Sequence, residues 1–227
     1  MRVTQFPCGT AVNESELKAF EHLKNQLESL PGDDEWILLT NLAFSVSHQL
    51  YSDEIDIVVL GPPGIRVVEV KHWNPKWIKE HSEIVEHEAD RAANKARKIG
   101  TTLRKIIQNL PRVDAVILLT WKPSEIRGDI QGKKVRGVAL LSLDDWKAAL
   151  GIEDEEVLSR NDIRRLARAL EPRSVVSLTG NLTRFGGLVN LRLETPKDER
   201  FHRVYHGIRS VQQDKVVLHL YDLSAAA

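Results

Sequence analysis

The sequence predicts an α/β fold: a mixed β-sheet flanked by helices, with a small β-rich C-terminal extension. Three observations point there. First, Ile55 to Leu60 and Ile65 to Val70 are β-branched, apolar runs on either side of Gly61-Pro62-Pro63-Gly64, and that composition reads as two strands joined by a tight turn. Second, a long amphipathic pattern from Ser82 to Leu110 separates this hairpin from the next apolar runs. A connection of that length is a crossover, so part of the sheet pairs in parallel. Third, Asp114 to Trp121 and Val135 to Leu143 are strand-like runs apolar enough to be buried on both faces.

Taken from the N-terminus, Asn13 is placed to cap a helix, with Glu14 and Glu16 in its positively polarised first turn. Phe20, Leu23, Leu27 and Leu30 recur at helical spacing until Pro31-Gly32. Trp36 to Phe44 reads as the first strand and the hairpin follows. Trp73 to Glu80 reads as a polar connection containing Trp73 and Trp77, which can either stack on bases or cap the sheet edge. Ser82 is placed to cap a long helix that runs to Leu110, whose apolar stripe is Ala89, Ala92, Ala96, Ile99, Leu103, Ile106 and Leu110. After the two buried-type strands, Ser142 to Trp146 opens a short helix that Gly151 ends. Asn161-Asp162 caps another that runs to Leu170. Ser174 to Leu178, Leu188 to Leu193, His202 to His206 and Val216 to Tyr221 read as short strands.

The hairpin also places chemistry. If Gly61 to Gly64 is a four-residue loop, Leu60 faces Ile65 and Asp56 faces Glu69. Directly opposed residues have Cβ atoms about 5 Å apart. Two carboxylates so placed repel in an apolar sheet unless a divalent cation, a proton or a cationic side chain compensates. Lys71 projects from the same face as Glu69. A plainer account of Lys71 stands beside this one, because the same register sets it opposite Glu54 as a cross-strand ion pair. That pair leaves Asp56 against Glu69 unexplained. His72, His81 and His87 lie nine and six residues apart, which matches no usual zinc spacing.

Asp56 followed by Glu69-Val70-Lys71 resembles the PD-(D/E)XK nucleases. The longer stretch EIDIVVLGPPGIRVVEVKHW resembles the central motif of the nuclease-related (NERD) domain within that superfamily, over roughly Glu14 to Leu150. The resemblance implies a restriction-endonuclease-like core in residues 1–151, followed by an α+β extension in 152–227. It implies Mg²⁺ or Mn²⁺ held by Asp56, Glu69 and the carbonyl of Val70. Glu16 is the counterpart of a first-helix Glu that reaches the metal, with Glu14 as the second choice. Asp56, Glu69, Lys71 and Glu16 are thereby the candidate catalytic residues, and hydrolysis of a DNA phosphodiester, as by a Mg-dependent endodeoxyribonuclease, is the implied reaction. The family's helix after the E-x-K strand usually presents a Gln to the site, and here Lys95 stands at about that position.

From Arg91 to Arg112 the chain has seven basic residues and no acid. Arg91, Lys95, Arg97, Lys98, Arg104 and Lys105 are the candidate DNA contacts, since a one-signed surface suits a phosphate backbone. The plainer alternative is a solvated helix face. Net charge over the 227 residues is zero, so any attraction to DNA must be local. A single cysteine, Cys8, excludes an internal disulfide and suits a reducing cytoplasm. No apolar run reaches the roughly 18 residues of a membrane span. In the extension, RVYHG and DKVVLHLYD resemble the second and third strands of a protein-kinase N-lobe. His219 stands where the Lys belongs, and Gly180, Gly186 and Gly187 form no G-x-G-x-x-G. A NERD domain followed by such a segment resembles the large serine/threonine kinases of phage-growth-limitation (BREX-type) defence systems. The closing Ala225-Ala226-Ala227 looks like an appended tail, so a piece of a longer parent protein is expected, with other domains of that parent as partners. The alternative function is a non-catalytic module that senses DNA or a partner for a fused kinase.

Overall fold

The computed structural model describes residues 1–8, 13–44, 53–126, 130, 132–170, 174–176, 182–185, 188–194, 202–209 and 214–221. The chain divides into two compact units, Met1–Glu171 and Pro172–Ala227.

The first unit is a mixed sheet flanked by helices. Its elements are β1 (Arg2–Pro7), α1 (Glu14–Ser29), β2 (Glu35–Phe44), β3 (Asp53–Gly61), β4 (Gly64–Lys71), α2 (Pro75–Glu80), α3 (Ser82–Leu103), β5 (Val113–Leu119), α4 (Pro123–Ile126), β6 (Lys134–Val135), β7 (Val138–Ser142), α5 (Trp146–Leu150) and α6 (Arg160–Leu170). The seven strands run in the order β1-β2-β3-β4-β5-β7-β6. β1–β2, β4–β5 and β5–β7 are parallel pairs, while β2–β3, β3–β4 and β6–β7 are antiparallel. The α3 crossover accounts for the parallel β4–β5 pair, as its length demands.

Both faces of the sheet are covered. Ala96, Ile99 and Leu103 of α3 and Ile163, Leu166 and Leu170 of α6 pack on Ile65 and Val67. On the other face, Phe20, Leu23 and Leu27 of α1 and Leu150 of α5 pack on Val68 and Val70. β4 is therefore apolar on both sides except at Arg66 near its start, which pairs with Asp114 and Asp154, and at Glu69 and Lys71 toward its end.

The hairpin register is the one the sequence implies, with Leu60 opposite Ile65. The loop is tighter than four residues: Gly61 and Gly64 close the ladder as a pair and Pro62-Pro63 alone makes the turn. Gly61 has a packing reason as well, because a Cβ there would meet the Trp36 ring at 2.3 Å. Gly61→Ala should destabilise the fold by about 1–3 kcal/mol through overpacking, read as a lower denaturation midpoint with an unchanged m-value.

Several expectations need correction. Arg2–Pro7 forms an edge strand ahead of the strand read as first. Trp73 to Glu80 is not merely a connection, because Asn74 caps the short helix α2 by accepting the Trp77 N–H at 2.8 Å. The long helix has His81 at its N-cap and ends at Leu103 rather than Leu110, where the Arg104 N–H closes on Gly100. Ile106 still packs against the core from the following turn, so its apolar spacing outlasts the helix. Val135 to Leu143 is two strands, since Arg136 and Gly137 both have positive φ (51° and 82°) and make a tight hairpin turn. Ser159, not Asn161 or Asp162, caps α6 through the Asp162 N–H.

The second unit is a five-stranded antiparallel sheet: β8 (Ser174–Val176), β9 (Leu182–Phe185), β10 (Leu188–Leu193), β11 (His202–Arg209) and β12 (Lys215–Tyr221), in the order β12-β11-β10-β9-β8. Leu191 and Tyr205 are buried within it. His219 lies on β12 opposite Val204. Gly180, Gly186, Gly187 and the three closing alanines lie outside the described residues, as do the last two residues of the strand expected over 174–178.

Candidate active site

The site forms where one strand ladder stops and its neighbour is interrupted. β3 and β4 pair from Gly61–Gly64 as far as Ile57–Val68, and the Asp56–Glu69 pair is absent from the ladder. β2 and β3 pair on both sides of Asn41 and Asp56 but not at them. Asn41 has φ 52°, in the left-handed region that Asn tolerates better than most residues. Its effect shows in the side-chain pattern. Ile37, Leu39 and Leu42 share one core, and so do Ile55, Val58 and Leu60. Strict alternation would put Leu42 and Ile55 on the opposite face. The pleat is thus offset on both strands at Asn41 and Asp56, which frees Asp56 from sheet pairing. Its Oδ2 accepts the Val70 N–H at 2.6 Å.

Glu69 and Lys71 project from one face of β4 toward α3, as alternation requires. α3 meets each with an opposite charge. Lys95 Nζ donates to Glu69 Oε1 at 2.8 Å, with the two residues only 6% and 4% exposed. Lys71 Nζ lies 2.8 Å from Glu88 Oε2 and 6.0 Å from the centre of the Trp73 ring. Glu88 and Lys95 are seven residues apart, hence on one stripe of the helix. Arg91 also holds Glu88, at 2.6 Å. Lys71 is therefore anchored by Glu88 and not by Glu54, which is exposed.

Glu16 comes to the site from the first turn of α1. Asn13 caps that helix by accepting the Glu16 N–H at 3.0 Å, and its amide donates back to Glu16 Oε1. Asn41 Nδ2 donates to Glu16 Oε2 at 3.0 Å. Asn41 thus reshapes the strand beside Asp56 and also orients Glu16, which is 8% exposed.

The electrostatics follow from this crowding. Burial first, then the Glu69 carboxylate and more weakly Glu16, push the Asp56 carboxyl up to about 7, against the pull of the Val70 N–H and Lys95. Burial also raises Glu69, and its pair with Lys95 offsets only part of that. Glu88 is the opposite case: burial opposes its charge, but Lys71 and Arg91 outweigh burial and hold its carboxyl below the usual range.

Hard oxygen donors of this kind suit Mg²⁺ or Mn²⁺. Glu69 and, more weakly, Glu16 disfavour the charged form of Asp56 while Lys95 favours it, so a further positive charge is electrostatically favourable there. Among the described residues, however, no group of three or more His, Cys, Asp and Glu side chains is gathered closely enough to hold a metal ion. Asp56 and Glu69 instead have their present partners in a backbone N–H and an ammonium group. The donor chemistry fits a divalent ion, and binding would require these contacts to rearrange.

The sequence model of the nuclease-related domain, NERD, matches residues 11–138, more than half of the chain. The chain belongs to the NERD family. No curated protein matches it. The match to this NERD domain spans Glu16, the hairpin and all of α3.

Of the basic residues on and after α3 in the NERD domain, Arg97, Arg104 and Lys105 are exposed and Lys98 is half-buried. Arg91 is exposed but tied to Glu88. Lys95 is not part of that outer face, because it is buried against Glu69. Trp73, Trp77 and His81 stack in a column, with ring centres 4.9 and 4.5 Å apart. The two tryptophans pack at the sheet margin against the cluster around Ile78 and Val85. Sequence reasoning missed Glu88 and Asn41. Asn41 left a signal, as a polar residue inside the otherwise apolar run Trp36 to Phe44. Glu88 left only its spacing from Lys95.

No helix among the described residues is long and apolar enough to cross a membrane.

Proposed function

We propose that the first unit is a Mg²⁺- or Mn²⁺-dependent endonuclease that hydrolyses DNA phosphodiesters. The observation that carries this reading is the meeting of Asp56 with the E-x-K strand: its carboxylate takes the Val70 N–H and feels the charge of Glu69 strongly enough to be raised to about 7, burial being the larger cause. Asp56, Glu69 and the Val70 carbonyl would hold the ion, with Glu16 adding a ligand directly or through water. The bound ion supplies a water of lowered pKa and charge for the scissile phosphate. Lys71, on the same strand face as Glu69, orients the attacking water or takes its proton, and its ammonium form neutralises charge on the phosphate in the transition state. Glu88 keeps Lys71 turned toward α3 until the phosphate competes for it. Arg97, Lys98, Arg104 and Lys105 provide a basic surface for the duplex backbone.

Plasmid DNA incubated with the protein and Mg²⁺ or Mn²⁺ is expected to be cut. Asp56→Ala or Lys71→Ala should abolish cutting, and nicking that survives both changes contradicts the assignment. Replacing Arg97 and Lys98 by Gln should weaken duplex binding and lower the magnitude of the log K against log salt slope by about 2, if each contacts one phosphate. An unchanged slope removes these two residues from the interface.

A second reading is favoured by the ion pairs themselves. Lys95 on Glu69 and Glu88 on Lys71 leave both members of the E-x-K pair satisfied without a metal. A non-catalytic module that senses DNA or a partner for other domains of a longer, kinase-containing protein of the BREX type would look the same. The three-strand meander β10–β11–β12 is compatible with the start of a kinase N-lobe. This reading predicts salt-sensitive binding without cleavage, in a cytoplasmic phage-defence setting.

A further inference from the structure

The NERD domain's α3 crosses the candidate site with a buried lysine that the proposed chemistry does not use. Lys95 is 6% exposed, and its ammonium group donates to Glu69 Oε1 at 2.8 Å. It acts electrostatically on Asp56 as well, so it lies among the acids that would receive a divalent ion. A lysine is not buried in this way by packing alone, since an ammonium group leaves water only when a partner replaces its hydration. The neighbouring turns of α3 show how firmly it is aimed. Ala92, Ala96 and Ile99 fix that face of the helix against the sheet, and Glu88 on the same stripe is committed to Lys71.

We propose that Lys95 is a resident cation that competes with the divalent ion for Glu69 and so sets the affinity of the site for metal. The inference rests on the metal-dependent reading above and deepens it. With Lys95 seated on Glu69, a dication approaching Asp56 meets a like charge and a carboxylate with one oxygen already engaged. Loading the site requires the ammonium group to leave Glu69 Oε1. The flexible four-carbon stem of lysine permits such a swing, whereas the planar guanidinium of arginine would hold a carboxylate through two parallel bonds. Metal occupancy, and with it any cutting, then becomes conditional on metal concentration and on anything that draws Lys95 away, such as a phosphate of bound DNA.

The test is a calorimetric titration of the whole chain with Mn²⁺, without DNA, for the parent and for Lys95→Gln, Lys95→Arg and Asp56→Asn. Lys95→Gln should bind Mn²⁺ at least tenfold more tightly than the parent. Lys95→Arg should bind no more tightly than the parent, and Asp56→Asn should lose the binding. If Lys95→Gln equals the parent, or binds more weakly, while Asp56→Asn still abolishes binding, the competition is overturned and the metal site stands. If none of the proteins binds Mn²⁺ at millimolar concentration, the metal-dependent reading falls and this inference with it. Should Lys95→Gln fail to fold, the parent supplies the check through the ¹⁵N ammonium resonance of Lys95. That signal should change when saturating Mg²⁺ is added, and an unchanged signal at saturation overturns the proposal.

Discussion

Asp56→Asn is expected to raise the stability of the metal-free protein at pH 8 while removing metal-dependent cutting. The Asp56 carboxyl is raised to about 7, first by burial and then by Glu69, whereas in the unfolded chain it titrates near 3.9. Between those values the folded protein keeps a proton that the unfolded chain has lost. Stability therefore falls as pH rises through that window, and the full cost persists above it. Glu69 is raised as well, again by burial first, and adds to the same trend. Glu88 has the opposite sign, since its lowered carboxyl contributes stability that is lost only as pH falls below the usual glutamate range. An asparagine at position 56 can still accept the Val70 N–H through its Oδ1, without the charge. The expected gain at pH 8 is on the order of 2–4 kcal/mol, from the size of the shift. Chemical denaturation in EDTA should show that gain shrinking as pH falls from 7 toward 4. A variant less stable than the parent at pH 8 would mean that Asp56 is already compensated.

Lys95→Met is the second large effect, in the opposite direction. Removing one partner of a buried ion pair leaves the other charge uncompensated, at a cost of about 3–5 kcal/mol. The 2.8 Å pair with Glu69 meets that condition because both side chains are nearly inaccessible. Pairing Lys95→Met with Glu69→Met should recover most of the loss, since well-packed apolar replacements of buried ion pairs are often neutral or stabilising. The double-mutant cycle measures the coupling directly. A double-variant cost equal to the sum of the two single costs would show that the pair contributes little. Saturating Mn²⁺ should restore part of the stability of Lys95→Met but none of the double variant's, because only the former retains Glu69.

Much of this was legible because local chemistry and tertiary structure agree. Gly61-Pro62-Pro63-Gly64 admits few conformations, so the hairpin register followed from the turn and carried Glu69 and Lys71 to one face. The length of the α3 pattern implied the crossover and the parallel β4–β5 pair. What stayed hidden depends on contacts between distant segments. The edge strand Arg2–Pro7 has no strong alternation and is held by its parallel pairing with β2. The break at Arg136-Gly137 is a turn inside an apolar run, and apolar spacing is blind to it. The offset pleat at Asn41 and Asp56 needs both strands to deviate together. Lys95 sits in a run of basic residues, and its spacing alone reads as one more surface charge; only the family resemblance, which sets it near the place of a site-facing Gln, marks it out. The fold shows that it points inward while Arg97 points to solvent.

Anomalous diffraction from crystals soaked in Mn²⁺ tests the metal-dependent reading most directly. The account predicts a peak bounded by Asp56, Glu69 and the carbonyl of Val70, with the Lys95 ammonium group displaced from Glu69 Oε1. A map with no peak there at saturating Mn²⁺, and Lys95 still seated on Glu69, would contradict it.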